Sequence, residues 1–253
     1  RTPEKAVCTV LDFVGQHREE FRMHRRYAAL LGGSRKQIER SIEQGFPYLP
    51  SGCHMQLDAV ATQHVLENIR KSIPTTWPAR AGELRRVAEA DPAITLRNFL
   101  NQTGIELAEV YSNNRSWSDL LEAGGVPTLP AGPQEPALRR AIGRLLHLND
   151  SLRIDQYRAF VEAPTAPDTT TMDARTRRLF HMLATVMTES VLKGDEVLQD
   201  AANLLWAHSQ VLAELHQLAD VLADRIDHLQ ERLTSHADVP LRVHARYTRR
   251  EVL

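Results

Sequence analysis

From Val211 onward, apolar residues recur at three- and four-residue steps: Val211, Leu215, Leu218, Leu222, Ile226, Leu229 and Leu233. That spacing draws a continuous apolar line along one side of a helix, whereas a strand alternates its side chains at every second residue. Leu179, Leu183, Val186 and Leu192 repeat the pattern upstream, and Gly194 between the two runs reads as a turn. Together they predict a long helical hairpin over residues 166–235 whose stripe packs internally. The alternative use of the same stripe is an intermolecular coiled coil, a homodimer formed through residues 175–233.

The rest of the chain is punctuated in the same helical period. Residues 18–31 read as a helix stopped by Gly32-Gly33, with Phe21, Ala28 and Leu31 on its apolar face. Ser34 is placed to cap a second helix through Ile38 and Ile42 that ends at Gly45. Pro47 and Pro50 then make residues 46–52 a rigid, extended loop. A third helix is expected over residues 56–72, with Leu57, Val60, Ala61, Val65, Leu66 and Ile69 at core spacing, and Pro74 and Pro78 end that stretch. Further on, either Asp91-Pro92 or Thr95 opens a helix that turns Leu96, Phe99 and Leu100 inward. Ser116 caps a short helix carrying Trp117, Leu120 and Leu121, closed by Gly124-Gly125.

The fold class is therefore mainly α: a multi-helical connector with one N-terminal strand, over residues 7–14, and the C-terminal hairpin. The expected division is a helical domain over residues 16–125, a proline-bearing linker at 126–136, a short helical segment at 137–165, the hairpin, and residues 236–253 leading into a following domain. A lone strand at the first residues, with no methionine before it, gives the expectation of a piece of a longer protein.

No apolar run is long enough for a membrane span, and no signal peptide is visible, so the expected compartment is the cytoplasm. Two cysteines, Cys8 and Cys53, do not make a disulfide framework. A net charge of −1 removes the argument from a strongly basic domain, leaving local patches.

Motifs that carry chemistry are missing from the sequence. There is no Gly-x-x-x-x-Gly-Lys phosphate loop and no Gly-x-Gly-x-x-Gly dinucleotide loop. Asp195-Glu196 sits in a helical pattern and reads as a solvated surface. Cys53, His54 and His64 lack the spacing of a zinc site, and Cys53 reads as a small buried apolar residue. His208, His216 and His228 lie on the long helices, at the surface or partly buried between them. No catalytic residue and no metal site is expected. The one candidate site is a basic stripe, Arg18, Arg22, Arg25 and Arg26, with Arg35 and Lys36 nearby; its function would be contact with a phosphate backbone. A solvated face partly neutralised by Glu19 and Glu20 is the competing explanation.

Two segments carry a resemblance: Leu11-Asp12-Phe13-Val14-Gly15-Gln16 through Phe21-Arg22, and Gly45-Phe46-Pro47-Tyr48-Leu49-Pro50-Ser51-Gly52-Cys53-His54-Met55-Gln56-Leu57-Asp58. They resemble large bacterial superfamily-two helicases of the DEAD/DEAH type, which carry a phospholipase-D-like nuclease module before the motor and an uncharacterised C-terminal domain. The similarity continues through Trp117, through Gly143-Arg144-Leu145-Leu146-His147, and to the segment from Pro240 to Thr248; Asn149-Asp150 departs from an Asp-Asp pair usual in that family. The resemblance implies that residues 1–15 end a RecA-like lobe and that the remainder joins the motor to the C-terminal domain. ATP and Mg²⁺ would then serve the parent protein, with no cofactor in this chain. The partners implied are nucleic acid, DNA ahead of RNA, and the flanking lobe and domain. Against this stands a structural spacer or interaction module with no nucleic-acid contact.

Overall fold

A computed structural model describes residues 22–33, 35–189, 198–226, 228, 230–233 and 239–252. Among them are thirteen α-helices, two short 3₁₀ turns and one antiparallel pair of two-residue strands, so the protein is mainly α. The strand expected at residues 7–14, Phe21, the Ser34 cap and the Gly194 turn lie outside the described residues. The chain divides into two compact units: Arg1–Thr75 with Thr103–Ile105, and Thr76–Gln102 with Glu106–Leu253.

In the first unit, α1 (Met23–Leu31), α2 (Arg35–Glu43) and α3 (Ala59–Lys71) pack on one another. None is long enough to hold alone in water, so their apolar faces supply the stability. Met23, Tyr27, Ile38, Ile42, Val65 and Ile69 are all buried at the centre. The face of α1 turned inward carries Met23, His24 and Tyr27, while Ala28 and Leu31 of the expected set are only half-buried. Asp58 begins α3 by accepting from the Ala61 amide at 2.7 Å, which starts the helix three residues later than the spacing suggests and leaves Val60 at 66% exposure. After Gly45 (φ +71°) the chain turns sharply: Phe46 also takes a positive φ, its amide donates to Ser41 O at 2.7 Å, and its ring stacks on Tyr27 with centroids 6.1 Å apart. A left-handed phenylalanine is uncommon. Burial of its ring and that short hydrogen bond hold it here.

The second unit contains α4 (Trp77–Ala90), α5 (Leu96–Thr103, whose last residue falls in the first unit), α6 (Leu107–Val110), α7 (Trp117–Gly124), α8 (Glu135–Ile142), α9 (Ser151–Glu162), α10 (Ala174–Thr188), α11 (Leu198–Trp206), α12 (Ser209–Ala223), β1 (Glu231–Arg232), β2 (Arg242–Val243) and α13 (Arg249–Val252). Polar side chains set several of the starts. Thr95, not Asp91-Pro92, opens α5 by accepting from Asn98 N at 3.2 Å. Ser116 and Asp119 form a reciprocal capping box on α7, and Gly125, in the left-handed conformation, ends it. Leu96, Phe99 and Trp117 have no exposed surface, and the Phe99 and Trp117 rings lie 5.2 Å apart.

Two expectations are corrected in this unit. The C-terminal stripe is not one long hairpin: α12 ends at Ala223, and residues 231–232 pair as a strand with 242–243. Val211, Leu215, Leu218 and Leu222 are buried, and α12 packs mainly on α9, not on α10. Internal contacts therefore cover the stripe from Val211 to Leu222. Residues 126–136 are also no linker between domains. The Leu129 amide donates to Gln210 Oε1 at 2.9 Å, and the Gly132 and Gln134 amides donate to Glu135 and His208, so this loop is part of the second unit. The division falls at Thr75, beside Pro74 and Pro78. Among the described residues, no helix is long and apolar enough to cross a membrane.

Candidate functional site

On α1 the basic residues follow the helical period. Arg25 and Arg26 follow Arg22 by about one turn, while Met23 and Tyr27 turn inward. Arg25 and Arg26 are exposed and Arg22 is half-buried at the N-cap. The helix Met23–Leu31 holds no acidic residue. The Arg25 side chain makes no ion pair or hydrogen bond among the described residues. On α2 the stripe is divided. Lys36 is exposed, but Arg35 is half-buried and lies 3.6 Å from Glu39, which also faces Arg70 at 3.6 Å. Arg40, which the sequence reading left out, is exposed and has no ion pair among the described residues. Its position four residues after Lys36 was a usable signal. Arg18 lies outside the described residues.

The two units differ in charge. The first holds 11 Lys and Arg against 8 Asp and Glu, a net +3; the second holds 20 against 24, a net −4. Between residues 22 and 75 the balance is 8 to 4. A chain that is neutral as a whole therefore carries a basic unit. The net charge of −1 concealed this, because the sum ran across the boundary.

The second unit has its densest polar chemistry at Arg153, which is fully buried. Its guanidinium donates to Asp150 Oδ2 and Glu251 Oε1, each at 2.6 Å, and to the Arg246 carbonyl, and stacks 4.0 Å from the Tyr247 ring centroid. Glu251 accepts from Thr248 N at 2.7 Å and Thr248 Oγ1 at 2.8 Å, and faces His147 Nε2 at 2.7 Å. His147 Nδ1 lies 2.7 Å from the Arg144 carbonyl, so both ring nitrogens face oxygen acceptors. Asn149 adds a bond from the Arg246 amide at 2.7 Å. This network fastens residues 239–252 to α9, so that the segment expected to lead outward is folded into the second unit. The two carboxylates that face Arg153 are both fully buried.

Burial raises the Glu251 carboxyl, but the hydrogen bonds from His147 and Thr248 and the charge of Arg153 outweigh it and hold the group at about 2. A carboxylate depressed in this way stabilises the fold above its unfolded value of about 4.3 and loses that contribution as pH falls toward 2. The stability difference between the wild-type chain and Glu251→Gln should therefore shrink as pH is lowered from about 5 to about 2. Urea unfolding across that range measures it, and a difference independent of pH would contradict the assignment.

Glu214 is fully buried on α12 and caps α7 from a distance, accepting from Trp117 N and Ser118 N at 2.9 Å each and from Ser118 Oγ at 2.5 Å. Burial raises its carboxyl, and the three hydrogen bonds oppose that rise. His208, buried and not at the surface, bridges two backbone groups: Nδ1 contacts Leu204 O at 2.7 Å and Nε2 accepts from Gln134 N at 3.3 Å. A Cβ on Gly132 would collide with that ring, so the close approach requires glycine. Cys53 is exposed, contrary to the expectation of a buried apolar residue. Among the described residues no group of three or more His, Cys, Asp or Glu side chains is arranged to hold a metal ion.

No family model, curated protein or solved structure matches the chain. The residues themselves define the class: a two-unit helical protein with a basic first unit and a second unit braced by buried ion pairs.

Proposed function

We propose that the first unit binds nucleic acid through the phosphate backbone, using the exposed cations of α1 and α2, and that the second unit is a non-catalytic helical scaffold. The observation that carries this reading is Arg25. It is exposed, has no acidic partner among the described residues, and sits on a helix without acidic residues inside a unit of net charge +3. Phosphate contacts of this kind are electrostatic and sensitive to salt. The wider setting follows from the sequence resemblance: an accessory region of an ATP-dependent helicase, with DNA ahead of RNA, coupling the motor to a C-terminal domain. In that setting ATP and Mg²⁺ belong to the motor, because this chain has no phosphate-loop sequence to hold them.

The second reading, a spacer or interaction module with no nucleic-acid contact, draws on the buried ion pairs around Arg153, which have the character of a structural brace. Arg25→Gln/Arg26→Gln separates the two. Fluorescence anisotropy with labelled DNA should show affinity falling about tenfold or more, and a salt slope shallower by about two contacts, with helical content unchanged. Unchanged affinity and slope would remove the nucleic-acid reading and leave the spacer.

A further inference from the structure

We infer that the second unit carries a phosphate-binding surface of its own for the backbone of a nucleic acid, centred on Arg246 and Arg249; for the class of ligand it rests on the phosphate-binding reading above. Residues 239–252 hold four arginines and one acid, Glu251, in a unit whose net charge is −4. That acid points inward, and its side chain is fully buried against Arg153. The charges that the segment shows to solvent are therefore all positive, with Arg246, Arg249 and Arg250 exposed. The Arg246 and Arg249 side chains make no ion pair or hydrogen bond among the described residues.

Further cations converge on the same place. Arg250 and Arg144 both reach Glu189 Oε2, Arg144 at 3.5 Å, so two exposed guanidiniums share one carboxylate. Arg140, four residues before Arg144, is also exposed and without an ion pair among the described residues. Like charges gathered in this way repel one another. The brace does not require them, since its contacts with this segment run through the Arg246 backbone, Thr248 and Glu251.

The backbone beneath the two free arginines is fixed. The Arg246 amide donates to Asn149 Oδ1 at 2.7 Å, and its carbonyl accepts from Arg153. Thr248 and Glu251 then hold the turn on which Arg249 sits. A ligand arriving there has only side chains to order. A phosphate backbone fits such a surface, because its regularly spaced charges neutralise several guanidiniums at once and release their counterions.

The test uses the full chain and anisotropy with labelled DNA across a salt series, with labelled poly-glutamate as a second probe. Arg246→Gln/Arg249→Gln should weaken DNA binding about tenfold or more and flatten the salt slope by about two contacts, with helical content unchanged. Arg246→Lys/Arg249→Lys should keep the slope, since an ammonium also neutralises a phosphate. Adding Arg25→Gln/Arg26→Gln should flatten it by about two contacts more. If Arg246→Gln/Arg249→Gln binds DNA like the wild type while Arg25→Gln/Arg26→Gln is weakened, the second surface is overturned and the first-unit reading stands. The reverse pattern removes the first-unit reading and supports this surface. Loss of poly-glutamate binding with DNA binding intact overturns it in favour of an acidic protein. A folded chain that binds no DNA at low salt overturns both.

Discussion

Replacing Arg153 with methionine should destabilise the second unit by about 3–5 kcal/mol, because it strands two buried carboxylates. Asp150 and Glu251 each lie 2.6 Å from the guanidinium, with both side chains fully buried, and methionine offers neither a hydrogen bond. The same change removes the bond to the Arg246 carbonyl and the stacking on Tyr247, so residues 246–252 lose most of their attachment to α9. The readout is direct, since Trp77, Trp117 and Trp206, the only tryptophans, all lie in the second unit and their fluorescence follows its unfolding. Combining Arg153→Met with Glu251→Gln should cost less than the sum of the two, because the second substitution removes one of the stranded charges. A single-variant loss below about 1 kcal/mol would mean that water reaches the carboxylates and the brace is not dry.

The second large effect is expected at Glu214. Glu214→Leu keeps the volume but deprives the Trp117 and Ser118 amides and the Ser118 hydroxyl of their acceptor. At about 1–3 kcal/mol for each buried group left without a partner, partly offset by the relief of a buried carboxylate, the expected loss is about 3–5 kcal/mol. Glu214→Gln, which keeps one acceptor oxygen, should lose distinctly less. Urea unfolding followed by tryptophan fluorescence again decides it, and equal losses for the two variants would show that charge, not hydrogen bonding, holds α12 to the start of α7.

The caps and stops of this fold were legible because they are local. Ser116, Thr95, Gly45 and Gly125 each act within a few residues, and each sits at the end of the element that its chemistry predicts. The C-terminal stripe misled for a physical reason. Apolar spacing continues through Ile226 past the point where α12 ends, and periodicity alone does not mark a stop when no glycine or proline supplies one. Arg153 and Glu251 are 98 positions apart, so their pairing had no local signature. Glu214 likewise has no local signature, since its partners lie 96 and 97 positions away.

The candidate site was legible in part. Arg25 and Arg26 could be read from helical spacing and the absence of acids on α1, and the diversion of Arg35 to Glu39 is an i,i+4 pair within α2 that spacing also offers, whereas the approach of Arg70 to Glu39 depends on how α2 and α3 face each other. Of two segments that carried the resemblance to helicases, residues 143–147 and 240–248, His147, Arg246 and Thr248 meet in the brace around Arg153.

The basic first unit is tested most directly by the affinity of the wild-type chain for DNA across a salt series at constant pH. Binding that weakens linearly in logarithmic salt, with a slope that loses about two contacts in Arg25→Gln/Arg26→Gln, is the predicted result. A folded chain that binds nothing at low salt, or binds with no dependence on salt, would contradict it.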